Sequence, residues 1–72
     1  MRITVQLFAS FRNGRFRESA LEVRGEARVR DVVADLGLPA CGILLLNDRH
    51  AGLDDVLREG DALHLFPPVG GG

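Results

Sequence analysis

Only one stretch of this chain has the periodicity of a helix. Val29, Val32, Val33 and Leu36 recur at three- and four-residue spacing, the stripe of an amphipathic helix over residues 29–36. Gly37 follows as a left-handed cap, and Pro39 blocks any continuation. The start is weaker. Ala27 and Arg28 cap poorly, and only Glu26 and Asp31 favour the positive end of the helix. One short helix cannot bury its apolar face alone, so the remaining residues must supply a layer for it to rest on.

Those residues have the period of strands. Residues 2–8 alternate, with Ile3, Val5 and Leu7 on one face. Asn13-Gly14 marks a turn, and residues 19–24 alternate again around Leu21 and Val23, which predicts an N-terminal hairpin. Ile43–Leu46 is an unbroken apolar strand, closed by a turn at Asn47-Asp48. Residues 52–57 form a short connection with one helical turn, and Glu59-Gly60-Asp61 turns into a last strand, Ala62–Phe66. The expectation is an α+β domain, a mixed sheet of four to five strands packed on one helix. Residues 1–66 form the domain and residues 67–72 a C-terminal tail.

Composition narrows the function. Seventy-two residues hold one domain, whose core supplies only about 3–5 kcal/mol. A net charge of −1 does not fit a surface that neutralises a nucleic-acid backbone, so no nucleic acid is expected. No apolar run approaches a membrane span, and the first residues lack a signal peptide's apolar stretch. With Cys41 as the single cysteine, an intrachain disulfide and a cysteine-based zinc site are both excluded. A small cytoplasmic domain is expected. All nine cationic side chains are arginine, and lysine is absent.

Catalytic constellations are missing. His50 and His64 have no ligand spacing, so no metal is expected. Nothing near Cys41 would depress its pKa, which makes it a loop or core cysteine rather than a nucleophile. Asp54-Asp55 reads as a surface turn. Gly70–Gly72 precedes no helix, so it is not a phosphate-cradling loop.

The C-terminus is different. The last strand stops at Pro67-Pro68, which cannot continue a ladder, and Val69, Gly70, Gly71 and Gly72 follow. At about 3.3 Å per residue, the six residues from Pro67 reach roughly 20 Å and are thin enough to thread a narrow channel.

Leu65-Phe66-Pro67-Pro68-Val69-Gly70-Gly71-Gly72 resembles the terminus of the MoaD/ThiS sulfur carriers, on the MoaD side of that family. Leu7-Phe8-Ala9-Ser10-Phe11-Arg12, Val29-Arg30-Asp31-Val32-Val33 and Leu46-Asn47-Asp48 resemble the family's first strand, helix start and mid-chain turn. Three departures stand out: a short loop after the first strand, Arg28 in place of a capping Thr, and a third terminal glycine. The resemblance implies the ubiquitin-like β-grasp fold, with the last strand beside the first.

It also implies carrier chemistry. Gly72, preceded by Gly71, would be adenylated by a MoeB/ThiF-like enzyme that consumes ATP. Sulfur from a donor such as a cysteine desulfurase or a rhodanese would then convert it to a thiocarboxylate. A MoaE-like large subunit would receive the tail and pass the sulfur to molybdopterin. The chain itself would bind no cofactor and be no enzyme, only a substrate and docking surface. Related alternatives are sulfur delivery to thiamine thiazole or tRNA, and cysteine formation from a thiocarboxylate. A ubiquitin-like modifier joined to lysines through Gly72 and an inert binding module are the readings from other classes.

Partner contacts are expected at Phe8, Phe66, Pro67, Pro68, Val69 and Gly70. If Leu63 and Leu65 face the core, Ala62, His64 and Phe66 point outward on the side of Phe8. One of the pairs Ile43/Leu45 and Leu44/Leu46 joins them, and a one-residue slip exchanges the two.

Overall fold

The computed structural model describes residues 1–68. Strands β1 (Arg2–Leu7) and β2 (Glu18–Glu22) precede helix α1 (Val29–Asp35), and β3 (Ile43–Leu46), β4 (Arg49–His50) and β5 (Ala62–Phe66) follow it. A 3-10 helix, Ala9–Arg12, joins β1 to β2. The sheet order is β2-β1-β5-β3-β4. β1 and β5 run parallel, and every other pair is antiparallel. This is the expected β-grasp architecture, with the last strand beside the first.

The register explains the core. Val5 sits opposite Leu63, and Leu7 opposite Leu65. Across the other edge of β5, Leu44 meets Leu65 and Leu46 meets Leu63. These apolar rows make a floor on which α1 sets Val29 and Val32, with Phe11, Ala27 and Leu57 closing the sides. No polar or charged side chain is buried among the described residues. The same register decides between the two leucine pairs. Leu44 and Leu46 pack toward the core, while Ile43 beside Phe66 and Leu45 beside His64 lie on the outer face.

The helix ends as its sequence predicts. Gly37 adopts φ +66°, its N–H donates to Ala34 O (3.0 Å), and the Leu38 N–H donates to Val33 O (3.2 Å), a Schellman closure. The start is solved by tertiary structure. The Val29 and Arg30 N–H groups donate to the carbonyls of Asp55 and Leu53, both at 3.0 Å, and the Asp31 carboxylate accepts the Arg28 N–H at 2.8 Å. Carbonyls from a distant segment thus do what a capping side chain would otherwise do.

That segment corrects one expectation. Residues 52–57 contain no helical turn. Asp55 accepts the Gly52 N–H (2.8 Å) and holds a local turn in its place. Val56 then bridges to Arg28, and the Leu57 N–H donates to Ala27 O (2.8 Å), fixing an extended strap over the helix start. Boundaries also move. β1 ends at Leu7 because Ala9, at φ +52°, turns the chain into the 3-10 helix. β2 covers 18–22 rather than 19–24, although the Val23 N–H still reaches Met1 O at 2.7 Å. α1 stops at Asp35, with Leu36 as its C-cap. Beyond the expected turn, Asn47 (φ +53°) and Asp48 (φ +67°) form a two-residue loop that pairs Arg49–His50 with β3 as an additional strand.

Candidate functional site

The outer face of the sheet gathers its apolar surface at one end. Phe8 follows β1 directly, and its N–H continues the parallel ladder by donating to Leu65 O (3.2 Å). That places its ring over Phe66, the last residue of β5. The two rings stack with centroids 4.2 Å apart and planes 11° from parallel. His64 lies against Phe8 in a tilted arrangement at 5.7 Å. Ile43 and Leu45 flank Phe66 and His64 on the neighbouring strand, and Ile43 is 39% exposed.

Arg12 completes the rim. The 3-10 helix reverses the chain, so the Arg12 guanidinium lies 5.2 Å from the Phe8 centroid while its Nε donates to Leu7 O at 2.7 Å. A shallow depression beside it is lined by Gln6, Phe8, Arg12, Arg17 and Glu18, and Gln6 donates a hydrogen bond to Glu18 across it. Nothing in the sequence marks Gln6 or Arg17. Charged and amide residues near a strand end carry no signal of their own, and only the reversal at Ala9 brings these together.

Where β5 ends, the chain passes close to the start of β3. The Gly42 N–H donates to Phe66 O at 2.8 Å. Pro67 and Pro68 then cross so near Gly42 that a Cβ there would stand 2.6 Å from both Pro67 O and Pro68 Cα. Pro67 is half-buried and Pro68 exposed. Phe8, Phe66, Pro67 and Pro68 therefore sit together at one end of the sheet. Val69, Gly70, Gly71 and Gly72, the rest of the expected site, lie outside the described residues.

The remaining candidates have structural explanations. Burial raises the pKa of the Cys41 thiol above its ordinary value, which keeps it protonated and weakly nucleophilic at neutral pH. Asp54 pairs with Arg30 (Nε at 3.0 Å), and its carbonyl accepts the Arg28 guanidinium at 2.6 Å. Asp55 is used by the turn at Gly52. Among the described residues, no three His, Cys, Asp or Glu side chains cluster as a metal site. No described helix is long and apolar enough to cross a membrane.

Comparison with known proteins agrees with this architecture. SAMP1 from Haloferax volcanii is 30% identical over 100% of both chains, with a TM-score of 0.74. A putative molybdopterin converting factor subunit 1 from Pyrococcus furiosus is 28% identical over 96% of this chain and 99% of its own, with a TM-score of 0.78. A third is found in a complex of subunits 1 and 2 of molybdopterin-converting factor from Helicobacter pylori 26695. It is 25% identical over 100% of both chains, with a TM-score of 0.68. A search of curated proteins gives no match. A model of the ThiS family matches residues 5–72, nearly the whole sequence, and the chain belongs to that family of sulfur carriers and ubiquitin-like modifiers.

Proposed function

We propose that this protein is a sulfur carrier for molybdopterin synthesis, acting through the carboxylate of Gly72. A carboxylate is a poor acyl donor because oxide is a poor leaving group. Attack of the Gly72 carboxylate on ATP, catalysed by a MoeB/ThiF-like partner, gives an acyl-adenylate and releases pyrophosphate. Hydrosulfide then displaces AMP and leaves a thiocarboxylate. A persulfide donor gives an acyl disulfide instead, which a second thiol must reduce. The thiocarboxylate is ionised and nucleophilic at neutral pH, so a MoaE-like subunit can use it to place sulfur on the pterin precursor. The carrier supplies a reactive atom and a docking face, and the partners supply the catalysis.

The observation that carries this reading is the position of the apolar face. The Phe8–Phe66 stack, Ile43 and Leu45 lie where β5 ends, immediately before the residues that lead to Gly72. An exposed apolar face beside a reactive terminus lets one partner grip the domain and receive the tail together. Similarity to molybdopterin converting factor subunit 1 supports the molybdopterin branch, and the complex of subunits 1 and 2 supports a MoaE-like acceptor.

The test is an intact mass after incubation with ATP, a sulfur source and a MoeB-type enzyme. The expected shift equals the exchange of one oxygen for one sulfur. No shift with an enzyme proven active on another carrier overturns the reading.

A second reading, a protein modifier, is favoured by the similarity to SAMP1 over the full length of both chains. The lysine-free sequence fits it as well, since an activated tail finds no side-chain amine on its own kind. Isopeptide-linked Gly72 on lysines of other proteins would establish it.

A further inference from the structure

The nearest atoms to a Cβ at Gly42 would be Pro67 O and Pro68 Cα, both at 2.6 Å, followed by the Pro67 carbonyl carbon at 2.9 Å. All three are backbone atoms or Cα, so no side chain can rotate away to make room. Carbon atoms rest at about 3.5–4.0 Å, so even the smallest side chain would push the tail root aside by on the order of 1 Å. The requirement is not conformational: Gly42 is absent from the positive-φ residues. The glycine is there for space alone.

We infer that Gly42 is a positioning residue, the seat that fixes Pro67 and Pro68 against β3, a role that rests on the carrier reading. Its N–H grips the Phe66 carbonyl at 2.8 Å, and its bare Cα lets the two prolines lie flat over it. Proline at both positions stiffens the root once it is seated. The seat adjoins Ile43, on the outer face that a partner would grip. The distance between gripped face and the start of the tail is thereby set within the carrier. A partner that holds the face then finds Pro68 at one place, and the four residues that follow start from a fixed point. Misplacing a reacting group by about 1 Å can cost on the order of 100-fold in rate.

The experiment compares the full chain with Gly42→Ala and Gly52→Ala. Gly52 is the control, because a Cβ there meets nothing within 4 Å and no positive φ is required. Carrier-dependent pyrophosphate release by a MoeB-type enzyme gives the rate, and calorimetry on the same pair without ATP gives the docking affinity. The expected result for Gly42→Ala is a rate at least ~10-fold lower with docking affinity within about twofold, and Gly52→Ala unchanged in both. In the wild-type NMR spectrum a through-space cross-peak is expected between the Gly42 and Pro68 α-protons, and it should weaken or disappear in Gly42→Ala.

A second variant avoids the fold altogether. One glycine inserted between Pro68 and Val69 leaves the seat intact, moves the carboxylate by about 3.3 Å, and must also slow the rate. Wild-type rates with either change overturn the positioning role, as does a missing cross-peak in the wild-type chain. If the wild-type chain itself releases no pyrophosphate, the carrier reading fails, and the cross-peak alone then tells whether the seat exists.

Discussion

Phe8 and Phe66 stack almost in parallel, 4.2 Å between ring centroids, although they come from opposite ends of the described chain. The parallel pairing of β1 with β5 makes this possible. In an antiparallel pair the two C-terminal strand ends would lie at opposite ends of the sheet, whereas here both strands finish at the same end. Both side chains lie outside the core, so the stack contributes little to it and leaves a flat aromatic surface on the outer face.

The stack should be measurable as a coupling. Phe8→Ala and Phe66→Ala are each expected to weaken docking to a MoeB- or MoaE-type partner. The double variant should lose less than the two single losses together, with a coupling of about 0.5–1.5 kcal/mol. Calorimetric affinities for the four proteins check this. Additive losses would mean that the rings act separately.

Phe66→Asp places a charge in the centre of the face. The expected loss is about 2 kcal/mol or more, roughly 30-fold in Kd, without change in far-ultraviolet circular dichroism. An unchanged affinity would put the docking surface elsewhere.

Leu44 and Leu45 should separate stability from docking. Leu44 is 7% exposed and packs against Leu65, so Leu44→Ala should cost about 2–5 kcal/mol in urea unfolding. Leu45→Ala, on the outer face, should cost about 1 kcal/mol or less and weaken partner binding instead. Reversed effects would mean that β3 is shifted by one residue.

Deleting Gly70–Gly72 should abolish sulfur loading in the intact-mass assay and leave the melting temperature unchanged. Sulfur transfer retained in the deletion would remove the tail from the mechanism.

Cys41→Ser should load sulfur at the wild-type rate, and wild-type Cys41 should be alkylated more slowly than a free cysteine at pH 8. Because burial raises the pKa of this thiol, the fold favours its protonated form. The stabilising contribution is complete below the unfolded thiol value of about 8.5 and is lost as pH rises through the folded value. Replacement by Ser should therefore flatten the decline of stability in that alkaline range, which urea titrations at several pH values would show.

Much of this architecture can be read in the residues. The alternation of Ile3, Val5 and Leu7 and of Leu63 and Leu65 marks two strands whose inner faces meet, and the outward placement of Phe8, His64 and Phe66 follows from it. Ile43–Leu46 does not alternate, so its orientation depends on where it pairs, and only the Leu44–Leu65 register decides that. The 3-10 helix is hidden because Ala9 adopts a left-handed conformation that its side chain does not advertise. Residues 52–57 mislead for a related reason, since the Asp55 side chain and the needs of the helix start override a weak local preference. Gly42 carries only the general signal of a glycine before an apolar strand. What occupies the space above it comes from more than twenty residues further along.

The place of β5 has a consequence for how the protein folds. Without it, the sheet falls into two separate hairpins, β2-β1 and β3-β4, and isolated two-stranded pairs are marginal in water. Among the described residues, β5 also comes after the other four strands in the sequence. The two hairpins therefore stay unjoined until β5 pairs with both, and its pairing with β1 is a long-range parallel contact of the kind that forms slowly. Pro67 and Pro68 continue directly from that strand, so their position beside Gly42 depends on β5 being paired. The strand that joins the two halves of the sheet is thus the same one whose end leads into the tail.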